Sequence, residues 1–143
     1  PDGRDAETGR PLVLNFDWQG TSAGSKSFLD WTARQFAKIG IQLEIRATDY
    51  NRFQDKMAKG SAQIYYWGWL ADYPDAENFF TLLYGPNSKA INGAGENASN
   101  YQNARFDGLF KSLRNLENGP QKADVIDEMM ERAVSTAETI EVC

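Results

Sequence analysis

The most constraining feature of this chain is a period that switches four times between strand and helix spacing within its first seventy residues. Leu12, Leu14, Phe16 and Trp18 alternate with Val13, Asn15 and Asp17, the period-2 pattern of a strand. Gly20-Thr21-Ser22-Ala23-Gly24-Ser25 interrupts it, and from Ser27 the residues Phe28, Trp31, Thr32, Gln35, Phe36 and Ile39 mark one helical face. Gly40 stands where a left-handed C-terminal cap belongs. Ile41, Leu43, Ile45 and Ala47 return to period 2. Asp49 is suited to N-cap a second helix through Tyr50, Phe53 and Met57, and Gly60 closes it. Residues 62–70 (AQIYYWGWL) are almost continuously apolar, as in a strand covered on both faces.

Strand, helix, strand, helix, strand is two successive βαβ units, and their crossovers are right-handed in nearly all proteins. The expected fold class is therefore α/β, with strands over 12–18, 41–48 and 62–69 adjacent and parallel. The first lies between the other two, because the helices need both sheet faces. Residues 1–11 are polar and turn-rich and read as an entry loop or hairpin.

Beyond residue 70 the pattern is helical. Asp75 can cap a short helix through Phe79, Phe80, Leu82, Leu83 and Tyr84, stopped by Gly85-Pro86. Residues 87–103 form a long loop rich in Asn, Gly, Ser and Ala. Phe106, Leu109, Phe110, Leu113 and Leu116 make an amphipathic helix ended by Asn118-Gly119-Pro120. Ile126, Met129, Met130, Ala133, Val134, Ala137 and Ile140 line the inner face of a last helix. The chain stops in that helix's final turn, so residues 1–143 read as a single domain taken from something longer.

Composition removes several chemistries. The 143 residues include no histidine, which excludes His-dependent nucleophiles and the common zinc sites. The lone cysteine, Cys143, is the last residue and cannot form an intramolecular disulfide. A net charge of −5 without a basic block argues against nucleic acid as a partner. No stretch approaches the roughly 18–20 apolar residues of a membrane span, and no signal-peptide pattern is present.

In open parallel sheets, ligands bind beyond the carboxyl ends of the strands. Two segments occupy such ends: Asp17-Trp18-Gln19-Gly20-Thr21, and Trp67-Gly68-Trp69-Leu70-Ala71-Asp72-Tyr73-Pro74-Asp75. The second combines two indoles, a phenol and two carboxylates, a surface suited to a ligand with an ammonium group and an apolar body. A purely structural reading competes: Trp67 and Trp69, two apart on one strand, share a face under a helix, and Asp72 or Asp75 caps or turns the chain. Paired carboxylates near tryptophans also suit a glycosidase, but no second carboxylate is placed opposite Asp72.

Other motifs carry less. Gly93-Ala94-Gly95 follows no strand and opens no helix, so it is no dinucleotide loop. Asn97-Ala98-Ser99 fits the glycosylation triplet, a frequent chance pattern. Asp124, Asp127, Glu128 and Glu131 fall on the solvent face of the last helix, and Met129-Met130 read as core filling.

The runs Ile39-Gly40-Ile41-Gln42-Leu43-Glu44-Ile45, Tyr50-Asn51-Arg52-Phe53 and Gly68-Trp69-Leu70-Ala71-Asp72-Tyr73-Pro74-Asp75-Ala76-Glu77-Asn78-Phe79-Phe80 resemble a known family. Asn100-Tyr101-Gln102-Asn103-Ala104-Arg105-Phe106-Asp107-Gly108-Leu109 extends the likeness. The chain resembles the extracytoplasmic solute-binding proteins of peptide-type ABC transporters, the oligopeptide and dipeptide binders of family 5, from about Leu12 onward. The resemblance implies a periplasmic-binding-protein-like lobe, here most of the C-terminal one, from a longer two-lobed protein whose N-terminal lobe is missing. It implies a non-enzymatic, periplasmic receptor that closes over a peptide or other small solute and delivers it to an ABC permease, with no cofactor and no metal site. By the family's pattern Asp72 pairs with the ligand's N-terminal ammonium and Trp69 walls the pocket; Trp67, Tyr73 and Trp18 complete the expected ligand-binding set. Pro74-Asp75-Ala76 departs from the pattern, where many relatives place an acidic residue or Asn before proline, and the family also includes binders of nickel complexes. A carbohydrate-active enzyme fragment, or a receptor lobe presenting its ligand to a membrane sensor, are the alternatives.

Overall fold

A computed structural model describes residues 3–20 and 22–138. Thr21, Ile140 and Cys143, and the side chain of Ala137, lie outside the described residues. Contacts divide the chain into two compact units, Pro1–Gly68 and Trp69–Cys143.

The first unit is a parallel three-stranded sheet flanked by helices. Strand β1 (Val13–Gln19) is followed by helix α1 (Lys26–Lys38), β2 (Gln42–Thr48), helix α2 (Tyr50–Ala58) and β3 (Ile64–Tyr65). The order is β2-β1-β3, with the first strand central as the alternation predicts. Register runs from Val13↔Gln42 to Gln19↔Thr48 on one side, with Phe16↔Ile64 and Asp17↔Tyr65 on the other. Period 2 divides β1 between two helices. Trp18 meets Phe28 of α1, and Asp17 meets Lys56 of α2, so the helices cover opposite faces. Gly40 closes α1 with φ +82°, and Asp49 caps α2 by accepting the Arg52 N–H at 3.1 Å.

The third strand is far shorter than its apolar run predicts. Only Ile64 and Tyr65 pair, and Tyr66 and Leu70 are exposed rather than covered. At the near end of β3 a side chain takes the place of a ladder carbonyl. The Asn15 N–H donates at 2.8 Å to the side-chain Oε1 of Gln63, not to a strand carbonyl. Trp67 and Trp69 therefore do not share a strand face.

The second unit is helical: α3 (Glu77–Phe80), α4 (Ala104–Leu113) and α5 (Pro120–Glu138), with single 3₁₀ turns at Thr81–Leu83 and Gly85–Asn87. Its core is Phe80, Phe106, Leu109, Phe110, Leu113 and Met129. Asn103 caps α4 by accepting the Arg105 and Phe106 N–H groups. Three details depart from the pattern. Pro120 does not merely end α4; it opens α5, where its missing N–H costs nothing. Leu116 lies beyond α4. Of the methionine pair, Met129 is buried and Met130 is 55% exposed, because adjacent helical residues point about 100° apart.

The loop between Gly85 and Asn103 is ordered by its amides. Asn97 is wholly buried, its Nδ2 donating to the carbonyls of Tyr84 and Tyr101. The glycosylation-like triplet is thus spent on internal structure. Ser88, also buried, donates to Asn100 Oδ1 at 2.7 Å.

Candidate functional site

Of the five residues that the sequence nominates, Trp18 and Trp67 belong to the first unit; Trp69, Asp72 and Tyr73 belong to the second. Each group is set by its own surroundings.

In the first unit, Trp18 near the end of β1 stacks on Tyr66 (5.2 Å between ring centroids, 26°) and tilts against Phe28 (5.2 Å, 40°). Phe28 in turn stacks on Trp31 at 6.4 Å. Phe28, Trp31 and Tyr66 are each more than two-fifths exposed, so the rings form a partly open aromatic surface. Trp67 sits elsewhere. It meets the buried Phe53 of α2 edge-on (5.7 Å, 88°). Trp18 and Trp67 thus lie against different helices. Tyr66 and Phe28 escaped the sequence reading because Tyr66 stands inside an apolar run and Phe28 on a helix face expected to be covered.

In the second unit the organising residue is Asn78, on α3 and almost completely buried. Its Oδ1 accepts both the Trp69 indole N–H (2.9 Å) and the Asp72 backbone N–H (3.1 Å). Its Nδ2 donates to Asp72 Oδ2 at 3.2 Å. Trp69 and Asp72, three residues apart on an irregular segment, are brought together through this one amide. Sequence reasoning missed it. The available signal was a poor helix former in the first turn of a short helix, a position where an Asn side chain often serves the local backbone.

The neighbouring carboxylates are already committed. Asp75 Oδ1 accepts the Glu77 N–H at 2.9 Å, and Oδ2 pairs with Lys122 of α5. The Lys122 ammonium, seconded by that N–H, holds the Asp75 carboxyl below its usual range. Asp75 does not take the N-cap position expected of it, which falls on Ala76; its side chain instead forms an Asx-type turn with the Glu77 N–H. Glu77 Oε2 accepts from the Tyr73 hydroxyl at 2.7 Å, and Oε1 meets Arg114 at 3.1 Å. That hydrogen bond to Glu77 is the main reason the Tyr73 phenol is pushed up. Among the described residues, every carboxylate oxygen of Asp72, Asp75 and Glu77 has a hydrogen-bond or ion-pair partner except Asp72 Oδ1. Asp72 is also solvent-exposed. It is the carboxylate of this segment with capacity for an external cation.

No group of His, Cys, Asp and Glu suited to a metal occurs among the described residues. Nor, among those residues, is any helix long and apolar enough to cross a membrane.

Comparison with known proteins agrees with this architecture. The family model "Bacterial extracellular solute-binding proteins, family 5 Middle" matches residues 1–90. Di/tripeptide-binding protein 3 of Pseudomonas aeruginosa is 26% identical over 101 residues, covering 71% of this chain and 18% of the relative. The chain therefore spans under a fifth of that relative's length. Among solved structures, Burkholderia pseudomallei OppA superposes with a TM-score of 0.74 at 22% identity, covering 88% of this chain and 24% of the other. NikZ from Campylobacter jejuni, in complex with Ni(L-His), gives 0.72 at 18% identity, covering 90% and 25%.

Proposed function

This chain belongs to the bacterial extracellular solute-binding proteins of family 5, and from that premise we propose that it forms part of the C-terminal lobe of a two-lobed peptide receptor. The lobe captures a short peptide by its N-terminal ammonium at Asp72, with Trp69 as the apolar wall beside that charge. Tyr73 borders the same segment; in the first unit, by itself, Trp18 belongs to the partly open aromatic surface with Tyr66 and Phe28, and Trp67 packs on Phe53. The observation that carries this reading is the free Oδ1 of Asp72, beside neighbours whose oxygens are all engaged. A charge-assisted hydrogen bond to a primary ammonium is the strong contact available to such an oxygen.

The protein acts by binding, not by turnover: closure of the missing N-terminal lobe over the solute stabilises one conformation, which a membrane permease then unloads. The location is periplasmic. Peptides are favoured over a nickel complex because the segment offers a carboxylate and aromatic rings. Its other carboxylate oxygens are held in internal hydrogen bonds and ion pairs.

The test is calorimetry on the full-length protein that carries this chain, with dialanine, trialanine and the nickel–histidine complex as probes. Saturable binding of either peptide, with none for the nickel complex, is the expected result. Binding of the nickel complex without the peptides would replace this reading with a metal-complex receptor.

A further inference from the structure

We infer that Asn78 is the positioning residue of the ligand site: it fixes which oxygen of Asp72 faces the solute and locks Trp69 in register with it. The inference deepens the peptide-receptor reading and rests on it for its ligand.

The hydrogen bonds define the amide's orientation without ambiguity. An indole N–H and a backbone N–H both point at one Asn78 atom, which must therefore be the carbonyl oxygen. The amide nitrogen is then directed to Asp72 Oδ2. One carboxylate oxygen is anchored and the other is left facing outward. A carboxylate on an irregular segment would otherwise sample several rotamers, and ordering it on binding costs free energy that this amide supplies beforehand. Asn78 itself is 4% exposed, so a solute reaches it only through the two residues it holds. Its own support combines a local and a distant contact: Asp75 accepts the N–H of the preceding residue, Glu77, and is anchored to Lys122 of α5.

Two measurements on the full-length protein test this. The first needs no ligand: hydrogen exchange of the Trp69 indole N–H, followed by nuclear magnetic resonance. In Asn78→Ala this exchange should accelerate at least about tenfold while the amides of α4 and α5 keep their protection; a net hydrogen bond of about 1.4 kcal/mol corresponds to that factor. Unchanged exchange at Trp69 overturns the inference. The second is a double-mutant cycle on dialanine binding. Asn78→Ala and Asp72→Asn should each weaken binding, and the double variant should bind within about threefold of the weaker single one, since both act through the same carboxylate. Fully additive losses would show that Asn78 does not act through Asp72. Absence of dialanine binding in the unmodified protein would count against the peptide-receptor reading, and the indole exchange would then decide the role of Asn78 by itself.

Discussion

Asp17 of β1 and Lys56 of α2, thirty-nine residues apart in the chain, form an ion pair whose carboxylate is only 2% exposed. It joins the central strand to the second crossover helix. A buried charge loses its hydration, and its partner is what makes that tolerable. Lys56→Met should therefore destabilise the protein by about 3 kcal/mol, because it strands the carboxylate. Asp17→Leu combined with Lys56→Met should cost clearly less than Lys56→Met alone. Urea unfolding of the three proteins checks this, and equal costs for the single and double variants would contradict it.

The pair also shows where sequence pattern stops. Period 2 along β1 puts Asp17 on the face opposite Phe16 and Trp18, and helices on both faces predict that this face is covered. Which side chain meets Asp17 does not follow from the pattern; only the fold brings Lys56 to it. The strand order, by contrast, was legible, since right-handed crossovers whose helices cover opposite sheet faces leave the first strand central. So were the caps at Gly40 and Asp49, which depend on near neighbours in the chain.

The second ion pair predicts a pH dependence. Lys122 holds the Asp75 carboxyl below its ordinary value. A depressed carboxyl contributes stability that is complete above the unfolded value, near pH 4, and is lost as pH falls through the folded one. Melting temperatures of the wild type and Lys122→Met should differ most at neutral pH. The gap should close as pH falls from about 4 toward the folded value. A gap that is constant, or that widens in acid, would contradict the assignment.

The two adjacent methionines should behave oppositely. Met129 is fully buried beside Phe106 and Leu113, and truncating it to alanine should cost about 2–5 kcal/mol. Met130 is more than half exposed, and the same change there should stay within about 0.5 kcal/mol. Similar losses at both positions, by chemical denaturation, would mean that both are covered.

Gly95 and Gly93 make a comparable contrast in the Asn-rich loop. A β-carbon on Gly95 would stand 2.0 Å from the Asn87 carbonyl oxygen, whereas one on Gly93 would meet nothing within 4 Å. Gly95→Ala should cost about 1–3 kcal/mol, the usual cost of overpacking. Gly93→Ala should leave the melting temperature nearly unchanged.

Much of the candidate site was legible only as a list. Asp72, Trp69 and Tyr73 were named by residue type and by position after a strand. Their grouping was not. Trp69 and Asp72 meet through an asparagine six residues beyond Asp72, whereas Tyr73 is tied to Glu77. Trp67 was assigned to a strand shared with Trp69 because the run is apolar. The strand ends after two paired residues, and the two indoles belong to different units. Hydrophobicity marks what can be buried; it does not say how far a ladder extends.

The central claim is that Asp72 reads an ammonium group. Its most direct test is calorimetry of dialanine against N-acetyl-dialanine on the full-length protein and its Asp72→Asn variant. Acetylation removes the charge and keeps the backbone. The unmodified protein should prefer the free peptide by at least about tenfold, the worth of a charge-assisted hydrogen bond at its lower bound. In Asp72→Asn that preference should largely disappear. Equal binding of both peptides by the unmodified protein, or a preference that survives Asp72→Asn intact, would contradict the account.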